Sequence, residues 1–528
     1  MQIESLPESL LTDLQKSAGL QLYLNNLETG RPATPRSWLY EQRAADDVLA
    51  EWMTELEKVK NSFHGEEVYH FDTSYLKKWG PQGQIAPLDE LMDTIKASYA
   101  KEGTPKPSVF NSPLWKQAKL VAIDKLIRGN NLYKKLRPRA LEKVVDDMAS
   151  RDTLSSNSGF PSFTRRNNPF VKARAIRDAR SGKAYSYPAI VLFRNYKQKT
   201  RMVWMFPMSM NLLEGQFTQP LKEALMNSKD AFFSAWRGFT HVKQFITAAY
   251  QESYYVSASD FSHTDEHFTK FITLEVYDVI KYAFQPQYWL ELKKTLLHVN
   301  SIPLLIATDK IIYGDHGVSS GSNWTNDMET YFDYIAEIYL ELKNLVSRLG
   351  VAIGDDIAHV RSHYSSSLSE DIAQEYQSMG LDVNAEKVTN NIDNVKFLQR
   401  LFVKGYYSKE SQEDPWLLRG VYSTVWALCT SLYPEKFHSP KLWSKQMFAA
   451  RQFMILENCV DHPLFHEFVT FICKGNSYLT EFAKLSADKL DEAQRKSHLI
   501  PGFNPTYNQE KKDKPLSSFA SIRYAAKL

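Results

Sequence analysis

Asp355 and Asp356 follow Gly354 in the stretch VAIGDDIAHV, where Val351, Ile353, Ile357 and Val360 make the flanks apolar. Glycine permits a sharp turn between two short strands, so the pattern predicts a hairpin with adjacent acids at its tip. A Gly-Asp-Asp triplet is also ordinary turn chemistry, expected by chance in about one chain of this length in ten, and alone it is a weak sign. A further acid, Asp260, ends a run in which Tyr254, Val256 and Ala258 alternate with Tyr255, Ser257 and Ser259 in strand fashion. Carboxylates on neighbouring strands of one sheet make a hard oxygen site, suited to Mg²⁺ or Mn²⁺ rather than zinc. Two such ions about 3.5 to 4 Å apart activate a hydroxyl and stabilise a leaving phosphate oxygen together.

The elements around these acids have their own signatures. From Gly314 the chain reads GDHGVSSGSNWTNDMETYF, a glycine and serine loop followed by Trp324, Met328, Tyr331, Ile335, Ile338, Leu342, Leu345 and Leu349 at steps of three and four. That spacing predicts one buried helix face reaching Leu349. Such a loop at a helix N-terminus lets a phosphate or nucleic-acid backbone approach closely, and a plain loop before a core helix is the alternative. Between Arg165 and Arg201 stand eleven bases against one acid, Asp178, an imbalance that favours a surface meeting phosphates. Tyr185, Tyr187, Phe193, Tyr196 and Trp204 lie in or beside that segment and could stack on bases. The basic stretch Lys116 to Lys143 has the spacing of an ordinary amphipathic helix.

Composition bounds the function class. At 528 residues and 60.9 kDa, with 43% hydrophobic and 24% charged residues, the chain is globular with room for several lobes, which excludes a disordered or fibrous protein. The net charge of +3 names no partner by itself. The longest obvious apolar run, Ile302 to Ala307, is far short of a membrane span, and MQIESLPESLLTDLQ has acids where a secretory signal has bases. We therefore expect a soluble, unexported protein with no membrane partner. Cys429, Cys459 and Cys473 are scattered and odd in number, which suits a reducing compartment. A zinc site could begin from His462 and His466, but paired histidines on a helix are more often structural, and no third ligand stands out.

The order Asp260-x4-Asp265, Ser320-Gly321-x3-Thr325, Gly354-Asp355-Asp356, with 60 residues from Asp260 to Ser320 and 35 from Ser320 to Asp355, resembles motifs A, B and C of viral RNA-dependent RNA polymerases. Asn157-Ser158-Gly159-Phe160-Pro161 is similar to motif G, Lys199-Thr200-Arg201 to motif F, Met379-Gly380-Leu381 through Lys387 to motif D, and Val395-Lys396-Phe397-Leu398 to motif E. The resemblance spans about residues 155 to 402 and is nearest to the enzymes of picobirnaviruses, small double-stranded RNA viruses. It implies an α+β fold, a cupped right hand with fingers, a palm of antiparallel sheet plus helices, and a helical thumb. The implied lobes are 1–95 bridging fingers and thumb, 96–252 fingers, 253–402 palm with a fingers insertion at about 285–315, and 403–528 thumb and C-terminal tail.

The resemblance also implies roles. Asp260, Asp355 and Asp356 would hold two Mg²⁺ or Mn²⁺ ions, and Lys387 would protonate the departing pyrophosphate, although an exposed lysine beside Glu386 is as good a reading. Lys199, Arg201, Asp265, Ser320, Gly321, Thr325 and Asn326 would bind the nucleotide, while Ser158, Gly159, Phe160, Pro161, Arg165 and Arg166 would guide the template. One departure matters: Glu329 stands where many such enzymes have an asparagine that holds the ribose-reading acid. The tail, aromatic and basic after Pro501, would either pack on the thumb or place Phe503 or Tyr507 beneath the initiating nucleotide. The expected activity is template-directed RNA synthesis, an RNA-directed nucleotidyltransferase able to start without a primer, with template RNA, product RNA, ribonucleoside triphosphates and a viral capsid protein as partners. It would work inside the virion and the host cytoplasm. A reverse transcriptase and a non-catalytic RNA-binding or capsid-associated protein are the alternatives.

Overall fold

The structure, a computed structural model, describes all residues except 101, 102, 152, 260, 384–387, 409–414, 437–442, 501, 502 and 504–513. Asp260, Lys387 and Tyr507 therefore lie outside the described residues.

The palm is a three-stranded antiparallel sheet in the order Tyr255–Ser259, Asp356–Arg361, Arg348–Ile353. Its register pairs Ser259 with Ile357 and Ile353 with Asp356, so the strand that runs toward position 260 ends beside the hairpin tip. The helix Trp324–Leu342 packs on this sheet and is buried along nearly its whole length. It stops at Leu342, short of the predicted Leu349, because Asn344 turns the chain with φ +60° and Arg348 already begins a strand. Leu345 and Leu349 still pack against the same apolar cluster, which explains why the periodicity ran on past the helix.

The fingers are built on a five-stranded sheet in the order Gln2–Ser5, Lys310–Tyr313, Leu304–Leu305, Ala189–Tyr196, Lys199–Met205. Residues Leu6, Leu20, Leu24 and Ile95 join the fingers core, whereas Leu39, Trp52 and Phe71 join the thumb core. The hairpin Ala189–Met205 turns at Lys197 and Gln198, both with positive φ, the backbone of a tight two-residue turn. A second such hairpin turns at Leu398 and Gln399, between Asn394–Phe397 and Arg400–Val403. The two tips meet: Lys197 Nζ donates to Gln399 Oε1 at 2.6 Å, and Arg194 nearby pairs bidentately with Glu435 at 2.8 and 2.7 Å.

Helices Thr424–Leu432, Lys445–Glu457, Phe465–Lys474 and Ala487–Ser497 form the thumb. Asp72 pins the N-terminal arm into it, accepting from Ser423 Oγ at 2.7 Å, Thr424 Oγ1 at 2.6 Å, Val425 N at 2.9 Å and His462 Nε2 at 3.0 Å. His462 is thus structural, as the chemistry of a lone buried pair favours. The C-terminal helix Ala520–Ala525 docks on the thumb, its Ala520 N and Ser521 N donating to Glu457 at 2.9 and 3.0 Å. Among the described residues no helix is long and apolar enough to cross a membrane.

Candidate active site

The hairpin tip is a two-residue loop, Gly354 and Asp355, and Gly354 takes φ +59°. Any side chain there would also collide with the Asn326 amide, 2.6 Å from where its Cβ would sit. The long helix holds the tip from beneath, because Gly354 N donates to Thr330 Oγ1 at 2.8 Å. Facing it is a short helical turn, Thr264–His267, whose Thr264 Oγ1 donates to Asp355 Oδ2 at 2.9 Å. Asp355 and Asp265 are therefore brought to one place by a hairpin and a turn that touch directly.

The electrostatics of that place are lopsided. Asp265 reaches solvent along the cleft, yet protein surrounds its carboxyl closely. Poor solvation, then the charge of Asp355, push it up to about 7, while Arg201 pulls the other way. Glu329 is buried and held well above the usual carboxylate range, first by burial and then by Asp355, Asp265, Asp333 and Asp356. Asp333 is raised well above it too, by burial and then by Glu337 and Asp355, and it accepts from Tyr376 Oη at 3.3 Å. Glu329, Asp333 and Glu337 are spaced by four on the long helix and form one buried acidic stripe along it. Glu329 stands out in the sequence as a departure, whereas Asp333 does not, although its spacing of four from Glu329 puts both on one helix face.

Under the active acids a buried polar relay fixes sheet to helix. His359 Nε2 lies 2.7 Å from Ser259 Oγ and its Nδ1 2.5 Å from Glu337 Oε1, while Glu337 Oε2 accepts from Gly350 N at 3.1 Å. Among the described residues no three metal-ligating side chains converge closely enough to hold an ion by themselves. The repulsion with Asp355 that helps hold Asp265, Glu329 and Asp333 above the usual carboxylate range is what a bound cation would relieve, so this donor set nevertheless fits a site that takes up cations.

The predicted nucleotide residues are placed unevenly. Lys199 and Arg201 are exposed on a fingers strand, and Arg201 acts on Asp265. Ser320 is exposed, with its Oγ accepting from Trp204 N at 3.3 Å, and Thr325 is buried with its hydroxyl on the Ser319 carbonyl at 2.7 Å. Gly321 packs so tightly on the fingers strand that a Cβ would lie 1.7 Å from the Trp204 carbonyl oxygen. Asn326 is exposed, against the Gly354 tip.

Several template and initiation expectations need correction. Ser158, Phe160 and Pro161 are buried, so the turn they form offers its rim at Thr164 and Arg165 rather than its own side chains. Arg166 is spent on the Asn157 carbonyl and Asn211. The basic run is partly structural: Arg174 pairs with Asp13, Arg180 with Glu142 and Arg194 with Glu435, acids far away in sequence that a local charge count cannot see. Tyr187, Phe193 and Trp204 are core residues, and Tyr196 stacks edgewise on Trp426. Phe503 is 2% exposed in the thumb cluster beside Trp443, which removes it as a stacking platform in this structure.

Comparison with known proteins agrees with this geometry. The family model described as viral RNA-dependent RNA polymerase matches residues 196–419, the stretch from the fingers hairpin tip through the palm. The chain is 27% identical over 516 residues to the "Potential RNA-dependent RNA polymerase" of human picobirnavirus (strain Human/Thailand/Hy005102/-), covering 92% of this chain and 90% of that one. Its fold is that of the crystal structures of a human picobirnavirus RNA-dependent RNA polymerase and of its insertion loop deletion mutant. TM-scores are 0.80 and 0.77 at 23% identity, over 98% of this chain and 99% of each of those. With the acids of the hairpin and the turn brought together under fingers, palm and thumb, the chain is an RNA-directed RNA polymerase similar, over residues 196–419, to the viral RNA-dependent enzymes.

Proposed function

We propose that this polymerase replicates and transcribes the RNA genome of a double-stranded RNA virus by two-metal nucleotidyl transfer, and that it starts strands without a primer. The observation that carries the metal reading is the Thr264–Asp355 hydrogen bond that brings the Asp265 turn against the hairpin tip, where Asp355 raises the carboxyls of Asp265, Glu329 and Asp333. Asp260, Asp355 and Asp356 would hold Mg²⁺ or Mn²⁺, which supply hydroxyl activation and charge neutralisation at the transferred phosphoryl group.

The chain's own residues do the positioning. Arg201 and Lys199 set positive charge over the triphosphate, and Asp265 accepts a hydrogen bond from the ribose hydroxyl that deoxyribose lacks. Ser320 and Thr325 shape the loop against which the nucleotide lies, and Lys387 delivers a proton to the pyrophosphate. Support for Asp265 is the Thr264 hydrogen bond that ties its turn to Asp355, together with the opposing pulls of Asp355 and Arg201 on its carboxyl. Work inside the virion and the host cytoplasm, with a capsid protein as partner, belongs to this same proposal; its support is the likeness to a viral polymerase.

The test is incubation of the purified protein with a defined RNA, all four ribonucleotides and Mg²⁺ or Mn²⁺. Complementary RNA made without primer supports the whole reading. Product only from an annealed primer removes the initiation mode, and synthesis that persists in a chelator removes the metals.

A further inference from the structure

Glu214 lies fully buried on the helix Met208–Met226, which packs against both the long palm helix and the helix Pro169–Arg180. Among the described residues it makes no salt bridge, since Arg166, the cation that acts on it, gives its guanidinium to the Asn157 carbonyl at 3.0 Å and Asn211 Oδ1 at 2.9 Å. The carboxyl group is used on the glycine and serine loop instead. Oε1 accepts from Ser322 Oγ at 2.5 Å and Oε2 from Asn323 N at 2.9 Å. Asn211, one turn earlier on the helix, donates Nδ2 to Glu214 Oε2 at 3.1 Å and to the Gly321 carbonyl at 3.2 Å, and Asn323 Nδ2 donates back to the Asn211 carbonyl at 2.8 Å.

Gly321, Ser322 and Asn323 are therefore each tied to Asn211 or Glu214. A buried carboxyl that meets only neutral donors is a costly way to stabilise a core, where apolar side chains serve as well. What it adds is direction, because its oxygens fix several donors in one plane. Through Asn211 and Arg166 the same network reaches the turn at Asn157, on the opposite side of the helix start.

We infer that Glu214 is a positioning residue for nucleotide binding: it holds the Gly321–Asn323 loop in register with the Asn157 turn, so that the exposed Ser320 at the loop's edge meets the incoming nucleotide in one fixed position. This rests on the reading that Ser320 faces the nucleotide. Glutamine at position 214 would keep the volume and leave a single acceptor oxygen for Asn323 N and Asn211 Nδ2, with its amide turning the Ser322 hydroxyl from donor to acceptor, which loosens the loop without opening a cavity.

The test is steady-state extension of an annealed primer by Glu214→Gln, Ser322→Ala and Ser320→Ala, with RNA binding and thermal melting measured alongside. Glu214→Gln is expected to raise KM for ribonucleotides roughly tenfold with kcat changed less than about threefold and RNA affinity kept, the signature of lost nucleotide positioning. Ser322→Ala removes a single donor and should move KM the same way by a smaller factor; it decides alone if Glu214→Gln does not fold. A raised KM for Ser320→Ala together with wild-type KM for folded Glu214→Gln and Ser322→Ala overturns this inference and leaves the nucleotide reading standing. Wild-type KM for Ser320→Ala overturns that reading, and this inference with it.

Discussion

The Thr264 hydroxyl donates to Asp355 Oδ2 across 2.9 Å, joining the turn that carries Asp265 to the hairpin tip. The acid proposed to bind metal and the acid proposed to read ribose are thus fixed to each other by one side-chain bond. Thr264→Val keeps the shape and removes that bond. A hydrogen bond to a charged group is worth about 1.5 to 3 kcal/mol, so synthesis should fall roughly tenfold or more while melting shifts little. Unaltered kinetics in this variant would show that the bond is incidental.

Asp355→Asn removes a charge from the proposed metal site at nearly constant shape. RNA synthesis should drop by orders of magnitude, with fold and RNA affinity retained, as measured by extension, circular dichroism and filter binding. A folded variant with near-normal synthesis would contradict the two-metal assignment.

Asp265→Ala should cut the preference for ribonucleotides over deoxyribonucleotides by about tenfold, the worth of one hydrogen bond lost from the ribose hydroxyl. Competition between the two nucleotide types on one template measures it. An unchanged ratio would take ribose reading away from Asp265.

Burial raises the Glu214 carboxyl from 4.5 to about 7, against Ser322, Asn323, Asn211 and Arg166, which stabilise its ionised form. A carboxyl raised on folding stabilises the native state fully below its unfolded pKa, and that contribution is lost as pH rises through the folded value. Wild type should therefore lose up to about 3 kcal/mol relative to Glu214→Gln between pH 4.5 and 8. The charged and titratable neighbours acting on this carboxyl are Arg166 and Tyr185, neither of which changes charge in that window. Parallel melting curves of the two proteins across that range would refute the shift.

Removal of the tail has a different expected outcome from the one its aromatic composition alone invites. Leu516, Phe519 and Ile522 are buried in the thumb, and Glu457 would lose the donors of Ala520 and Ser521. Truncation from Pro501 should lower the melting temperature and reduce primed and unprimed synthesis together. Phe503→Ala, deleting one buried ring, should cost about 3 to 5 kcal/mol. Selective loss of unprimed synthesis would restore an initiation role to the tail.

How far the sequence was legible follows from how local each signal is. The hairpin at Gly354, the strand before position 260 and the loop before Trp324 are written in short patterns, and they lie where those patterns put them. The end of the long helix was misread because Leu345 and Leu349 keep a helical spacing while packing from a turn and a strand. The basic segment was over-read for the opposite reason: the acids that neutralise Arg174, Arg180 and Arg194 come from positions 13, 142 and 435, which only the folded chain brings near. Asp333 is not legible, because a buried acid looks, in a sequence, like any surface acid on a helix.

The pin at Asp72 joins residues 351 positions apart in the chain when it meets Ser423. A ribosome adding about 5 to 20 residues per second leaves that carboxylate waiting roughly 20 to 70 seconds for its partner. Through that interval the apolar faces around Trp52 and Phe71 have no thumb to cover them, and the arm is exposed to chaperones and to other nascent copies. Synthesis rate, rather than final stability, would then set how much of the newly made chain reaches the closed hand.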